Sequence, residues 1–357
     1  MSKQLKVDIV YNIKRGFRAG PPDSEAEFDD LETILAIKKA LETSGRRVGL
    51  IEADENFPSL IAQSSPDIVF NIAEGANGRG REAQVPAILN FLNIPFVGSD
   101  ETAMCVAMDK ALAKSILAAR GISTPKFTVI GSESDYDNPA PPPFPAIVKP
   151  VAEGSGKGIT NASIVSSSEE LAKVSGELVS RYSQAALVEE FISGREFTVG
   201  LLGNGSNTRV FTPMEVIFRE NAYKTRDNAF SSRVTAYSAF DNAHYTGNDA
   251  YNIYSYDIKR NFKQYIDYAC PPEVEDAVIE DLEKTALKIY RILQCRDFAR
   301  IDFRMSREGR LYFIEINPIP GLAPGYSDYP MLAAYCGVDY EELICSILNS
   351  ALARYGL

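Results

Sequence analysis

The residues in this 357-residue chain best placed to do chemistry are Arg300, Asp302, Glu315 and Asn317, within FARIDFRMSREGRLYFIEINPIPG, Phe298 to Gly321. The segment reads as two strands joined by the turn Ser306-Arg307-Glu308-Gly309, with glycine where a hairpin needs a permissive backbone. Residues two apart on a strand share a face. Arg300 therefore falls beside Asp302, and Glu315 beside Asn317, while Ile301, Phe303, Phe313, Ile314 and Ile316 turn largely toward a core. Two carboxylates and an amide are hard oxygen ligands of the kind that hold Mg²⁺ with phosphate oxygens. An arginine beside them suits charge developing on phosphate or on an oxyanion. The plain alternative is an exposed hairpin with a wet polar face. Against it stand the residue types, which include no Lys, Ser or Thr, and the rigid ending Asn317-Pro318-Ile319-Pro320-Gly321.

The elements that must position this hairpin begin with a strand at residues 6–11. A helix follows over Asp29–Ser44, with Leu31, Ile34, Leu35, Ile37 and Leu41 at helical spacing and Gly45 closing it. Strands at Arg47–Glu52 and Asp67–Asn71 complete a strand–helix–strand alternation, which predicts a parallel sheet with ligands at its carboxyl ends. There lies NIAEGANGRGREAQVP, whose three glycines let the backbone approach a ligand and whose Glu74, Arg79, Arg81 and Glu82 supply charge. The helix Gln84–Leu92 and the strand Pro95–Val97 follow. One helix is predicted over 102–120, carrying Asp109, Lys110 and Lys114, with a solvated face the ordinary reading of Lys110.

After the strand Pro125–Ile130 and a Pro-rich surface turn, AIVKP (146–150) ends a strand in Lys149 and leads into a loop with Gly154, Ser155, Gly156, Lys157 and Gly158. Such a loop can fold over phosphates through backbone N–H groups, a serine hydroxyl and a lysine, although its spacing is not that of a P-loop. The helix Ser168–Tyr182 and the strand Ala186–Glu189 precede EEFISGREFTVGLL, which suits a hinge holding an adenine by backbone and packing. Residues 204–255 read as a polar, mobile cover apart from the strand-like VFTPMEVIF, and helices at Glu273–Leu293 and Tyr340–Tyr355 pack the remainder.

Composition narrows the function. A hydrophobic content of 45% with 24% charged residues is an ordinary globular profile. A net charge of −11 argues against a nucleic-acid partner. No apolar run is long enough for a membrane span, and the N-terminus lacks a signal-peptide pattern, so a cytoplasmic protein is expected. Cys105, Cys270, Cys295, Cys336 and Cys345 form no CxxC pair and read as reduced. The single histidine, His244, rules out a multi-histidine zinc site. Carboxylates, lysines, arginines, backbone amides and a metal must then carry any reaction.

Lys110, IVKP with its Gly-rich loop, VEEFISGREFTV, FARIDF and FIEINPIPG occur in one order, and IPFVGSD, MDK and GISTP precede or join them. This series resembles the ATP-grasp fold and, within it, the D-alanine–D-alanine ligase family, over nearly the whole chain. The resemblance implies an α/β fold (α+β in the ATP-grasp part): an N-terminal parallel α/β domain over 1–105, a central ATP-grasp lobe over 106–195 and a C-terminal lobe over 196–357. It implies ATP with Mg²⁺, two ions, with Mn²⁺ as a substitute. Lys110 and Lys149 would contact the nucleotide phosphates, and the loop with Ser155, Gly156 and Lys157 would close over them. Glu189, Glu190, Phe191 and Ile192 would form the adenine hinge, and Glu196 would bind the ribose. Asp302, Glu315 and Asn317 would hold the metal. Arg300 would steady the transferring phosphoryl group, Gly321 would present a backbone amide to the tetrahedral intermediate, and Lys259 would reach phosphate from a lid over Tyr256–Tyr268. A homodimer and small amino-acid substrates are implied by analogy.

The implied reaction activates a carboxylate as its acyl phosphate, which an amine then attacks. D-Alanine is the default pair, with another amino acid or a peptide as the variant and a non-catalytic ATP-binding regulator as the rival. The chain departs from the family where it carries Ala73-Glu74 for His-Gly, Ser155-Gly156-Lys157-Gly158 for Ser-Ser-Val-Gly, and Glu190 for the hinge lysine. Glu27 or Asp30, Glu74, Arg79 and Ser327 are the candidate substrate contacts.

Overall fold

The structure, a computed structural model, describes residues 4–16, 23–131, 140–219 and 262–357. The first part comprises β1 (Lys6–Tyr11), α1 (Leu31–Thr43), β2 (Arg47–Glu52), α2 (Phe57–Ser64), β3 (Ile68–Asn71), α3 (Gln84–Phe91), α4 (Glu101–Met108) and α5 (Lys110–Ala119). Then come β4 (Phe127–Ile130), β5 (Ala146–Pro150), β6 (Ile164–Val165), α6 (Ser168–Tyr182) and β7 (Ala186–Glu190). The last part holds β8 (Gly194–Leu202), β9 (Arg209–Val210), β10 (Met214–Phe218), α7 (Phe262–Tyr265), β11 (Ile266–Ala269), α8 (Asp276–Ile292), β12 (Phe298–Ser306), β13 (Leu311–Asn317), α9 (Asp328–Tyr335) and α10 (Tyr340–Tyr355).

Among the described residues the strands form three sheets. The first is parallel in the order β2-β1-β3, as alternation of strand and helix requires. The second has four antiparallel strands, β4-β7-β5-β6, and the third runs β11-β10-β8-β12-β13 with β9 against β8. Helix α6 covers the second sheet through Leu171 and Leu178, which meet Val148 and Val188. Helix α8 buries Leu282, Ala286 and Ile289 against Phe197, Val199 and Ile301 of the third. The first and last long helices, α1 and α10, share a core that joins Ile34, Ile37 and Leu41 to Ile344, Ile347 and Leu348. Each fully buried aliphatic side chain contributes about 1.5–3 kcal/mol, so this contact fastens the parallel sheet to the C-terminal segment.

Several expectations need correction. The single helix over 102–120 is two, because Asp109 adopts an extended backbone (φ −80°, ψ 98°) and caps α5 by accepting a hydrogen bond from Leu112 N at 3.0 Å. Asp100 caps α4 in the same way. Residues 95–97 make only a bridge, Phe96 to Val69. Helices α2 and α9 were not foreseen. The strand-like stretch VFTPMEVIF within the expected cover contains strand structure: residues 204–219 include β9 and β10, which pair with β8 because Phe211, Met214 and Val216 are buried. The rest of that cover, with His244, lies outside the described residues, and Lys259 does too. So does most of the expected lid; its described end, residues 262–268, forms α7 and part of β11. All five cysteines are free, and no helix among the described residues is long and apolar enough to cross a membrane.

Candidate active site

Two neighbouring cavities meet at the hairpin of β12 and β13. Register pairs Arg300 with Asn317 and Asp302 with Glu315, after which a bulge shifts the pairing to Phe303–Phe313. The bulge leaves Ile314 unpaired, so this residue lines a cavity instead of turning into the core as its neighbours Phe313 and Ile316 do. The four predicted polar residues do converge. Arg300 Nε and Nη2 donate to the two oxygens of Asp302 at 3.0 and 2.9 Å. Thr198 Oγ1 donates to Asp302 at 2.7 Å, and Asn317 Nδ2 at 3.3 Å. Arg300 Nη1 lies 3.6 Å from Asp328. Burial opposes the charge of Arg300, but Asp302 and Asp328 outweigh it and hold the guanidinium above its ordinary pKa.

The first cavity runs from Arg300, Glu315, Asn317 and Gly321 to Glu27, Glu74 and Glu82, with Lys110, Ser155 and Ser327 in its wall. A Cβ on residue 321 would fall 2.8 Å from Ser327 Oγ, so any larger residue there would have to displace that hydroxyl. Ser155 sits in the left-handed region at φ 51°. Lys110 is buried, not solvated: its ammonium lies 3.4 Å from Glu315 and donates to the carbonyl of Glu153. Glu27 is held by Arg81 at 2.6 Å and by Gly154 N at 2.6 Å. Burial raises its pKa, yet Arg81 and Lys157 more than offset that and leave it lowered. Glu27, Glu74 and Glu82 place carboxylate oxygens within 4.8 Å of one another. Burial first, then the charge of its neighbours, raises Glu74 well above the usual carboxylate range.

The second cavity lies between the two antiparallel sheets. Its lining joins Lys149, Gly156 and Glu189–Ile192 on one side to Glu196, Asp302, Arg304, Ile314 and Glu315 on the other. The N–H groups of Glu190 and Phe191 already donate to Lys126 O and Pro145 O, so these two are not open to an adenine. The Glu189 side chain is buried between Lys114 at 2.8 Å and Lys149 at 2.6 Å. Burial works against its ionisation, and the two ammonium groups reverse that, keeping it below its ordinary pKa.

Three predicted residues sit otherwise than expected. Arg79 is exposed and faces Asp109 at 3.8 Å, outside both cavities. Lys157 lies 2.5 Å from Glu153 and 3.4 Å from Glu27. The loop around it is held to the first part of the chain, since Gly158 N donates to Asp23 at 2.9 Å. Asp30 is exposed at the start of α1 and absent from the cavity wall. Arg81, Lys114 and Arg304 were missed as site residues. Arg304 had a signal, since it follows Arg300 and Asp302 at the same spacing of two.

Two antiparallel sheets closing on a cleft, with a parallel α/β unit in front and a carboxylate-bearing hairpin at the junction, define the ATP-grasp class. The family model described as "D-ala D-ala ligase C-terminus" matches residues 116–245 and 235–349. A D-alanine–D-alanine ligase of Aquifex aeolicus is 32% identical over 330 residues, covering 92% of this chain and 98% of that protein. The chain belongs to the D-alanine–D-alanine ligase family. The crystal structure of the Bacillus anthracis D-alanine–D-alanine ligase complexed with ATP superposes with a TM-score of 0.70 at 20% identity, covering 99% of both chains. That of the VanG D-Ala:D-Ser ligase of Enterococcus faecalis gives 0.68 at 18% identity, covering 98% of this chain and 100% of that one.

Proposed function

We propose that this protein is an ATP-dependent carboxylate–amine ligase that joins two amino acids through an acyl phosphate, in the cytoplasm. The observation that carries the reading is the convergence of Arg300, Asp302, Glu315 and Asn317 where the two cavities meet. The donor set suits a hard divalent cation: three oxygen-bearing side chains, two of them carboxylates now balanced by the positive groups of Arg300 and Lys110. Asp302, Glu315 and Asn317 would hold Mg²⁺, which when bound neutralises phosphate oxygens during transfer.

The chain's own groups then divide the work. Lys149 and Lys110 hold the phosphates in the second cavity and at the junction. Arg300, fixed bidentately by Asp302, faces the charge that builds on the transferring group and on the tetrahedral intermediate. The backbone N–H of Gly321 serves the same intermediate from the other side. The loop around Ser155 excludes water, which would otherwise consume the acyl phosphate. No side-chain nucleophile is required, in keeping with the single histidine.

A second reading keeps this chemistry but replaces D-alanine by another amino acid or a peptide. It is favoured by the three carboxylates of Glu27, Glu74 and Glu82 at one end of the first cavity. The experiment that tests both is Mg-ATP turnover with single and paired D- and L-amino acids, following ADP and phosphate together and reading products by mass spectrometry. A dipeptide mass that needs ATP supports the ligase and names its substrates. ATP binding without turnover on any pair would favour the non-catalytic rival, and absence of ATP binding would end the assignment.

A further inference from the structure

Strand β12 carries a third polar side chain on the face that presents Arg300 and Asp302. Arg304 lies two residues beyond Asp302 and is 7% exposed. Register sets it opposite Glu196 on β8. Its Nε and Nη2 lie 3.3 and 3.1 Å from one oxygen of Glu196, Oε2. Its Nη1 donates to the carbonyl of Ile192 at 2.8 Å, and its guanidinium carbon lies 4.9 Å from the centroid of the Phe191 ring. Arg304, Glu196, Ile192 and Phe191 all line the second cavity. One planar, permanently charged fork thus ties β12 to the start of β8 and to the connection between β7 and β8.

We infer that Arg304 is the positioning residue that fixes Glu196 and the Ile192 carbonyl for the nucleoside, and that through Glu196 it makes the site select a ribonucleotide over its 2′-deoxy counterpart. The inference rests on the proposed nucleotide reading of this cavity. A carboxylate selects among sugar hydroxyls as an acceptor when it is held in one orientation. Arg304 meets that need, because its two contacts on Oε2 fix the rotamer. A sugar lacking one hydroxyl would leave a held carboxylate short of a donor, which costs more than the same loss at a carboxylate free to turn to water.

The test compares ATP with 2′-deoxy-ATP on the full chain, by calorimetric titration without amino acids and by turnover, for wild type, Arg304→Gln, Arg304→Lys and Glu196→Gln. Wild type is expected to prefer ATP by about tenfold. Arg304→Gln and Glu196→Gln should weaken ATP by about tenfold, leave 2′-deoxy-ATP nearly unchanged and shrink the preference to about twofold or less. Arg304→Lys, which keeps the charge without the fork, should restore part of the preference. If Arg304→Gln does not fold, Arg304→Lys and Glu196→Gln carry the comparison. Equal weakening of both nucleotides with the preference kept would make Arg304 merely structural and overturn the inference, as would a wild type with no preference. A wild type that binds neither nucleotide overturns the nucleotide reading and this inference together. Turnover of ATP by a variant that keeps the preference removes the inference alone.

Discussion

Lys110 Nζ lies 3.4 Å from Glu315 Oε2 and so joins the first residue of α5 to the middle of β13. Asp109 breaks the helix just before it, so that Lys110 opens α5 with its side chain buried. The ammonium balances the carboxylate that the proposed mechanism gives to the metal. Glu315→Gln keeps the shape and removes the charge. It is expected to lower kcat by about 100-fold or more while ATP still binds. Release of ADP and phosphate at saturating Mg-ATP measures this. Mg²⁺-dependent turnover left intact would show the metal assignment to be wrong.

A different lysine holds the fold beside the second cavity. Lys114 is fully buried, 2.8 Å from Glu189, and donates to the carbonyl of Ile314 at 2.7 Å. Burial drives its own pKa down to about 8 despite Glu189. Replacing it with Met leaves Glu189 buried with Lys149 as its remaining partner. Breaking such a buried pair typically costs about 3–5 kcal/mol. Urea unfolding of Lys114→Met should show a loss below that range, because Lys149 still balances Glu189, whereas Glu189→Gln, which leaves both buried ammonium groups without their carboxylate, should reach it. A single variant as stable as wild type would show that the cluster contributes nothing.

Much of this was legible in the sequence. The hairpin was readable because strand periodicity is rigid: a spacing of two fixes the face, and Arg300, Asp302, Glu315 and Asn317 converge as that rule requires. Helices α6 and α10 match their predicted limits, since Ser167 and Asp339 cap them by ordinary N-cap bonds. The break at Asp109 was not legible, because an aspartate within an apolar helical run reads equally as a surface charge. The pairing of Lys114 and Lys149 around Glu189 joins residues far apart in the chain, which no local pattern reports. The bulge that sends Ile314 into a cavity depends on cross-strand register, which composition does not encode. Arg79 and Arg81 belong to one Gly-rich loop of similar charge. Only the fold shows that Arg81 turns inward to Glu27 while Arg79 faces outward.

Glu82 sets a pH dependence with a definite sign. Burial and the charge of Glu27 push its carboxyl up to about 7, against Arg81 and Lys110, with Glu153 adding to the rise. In the unfolded chain the same group titrates near its ordinary value, roughly 4.5. Between those values the folded state holds a proton that the unfolded state has lost. Stability from this group is therefore fully present below about pH 4.5 and disappears as pH rises through about 7. Glu74, raised in the same direction by burial and by Glu82, adds to the trend. Urea midpoints taken from about pH 5 to about pH 8 should fall for wild type. Glu82→Gln, which cannot ionise, should flatten most of that fall and leave a residue attributable to Glu74. Parallel wild-type and variant curves would mean that Glu82 is ionised throughout, and the acidic end of the first cavity would then carry three full negative charges at neutral pH.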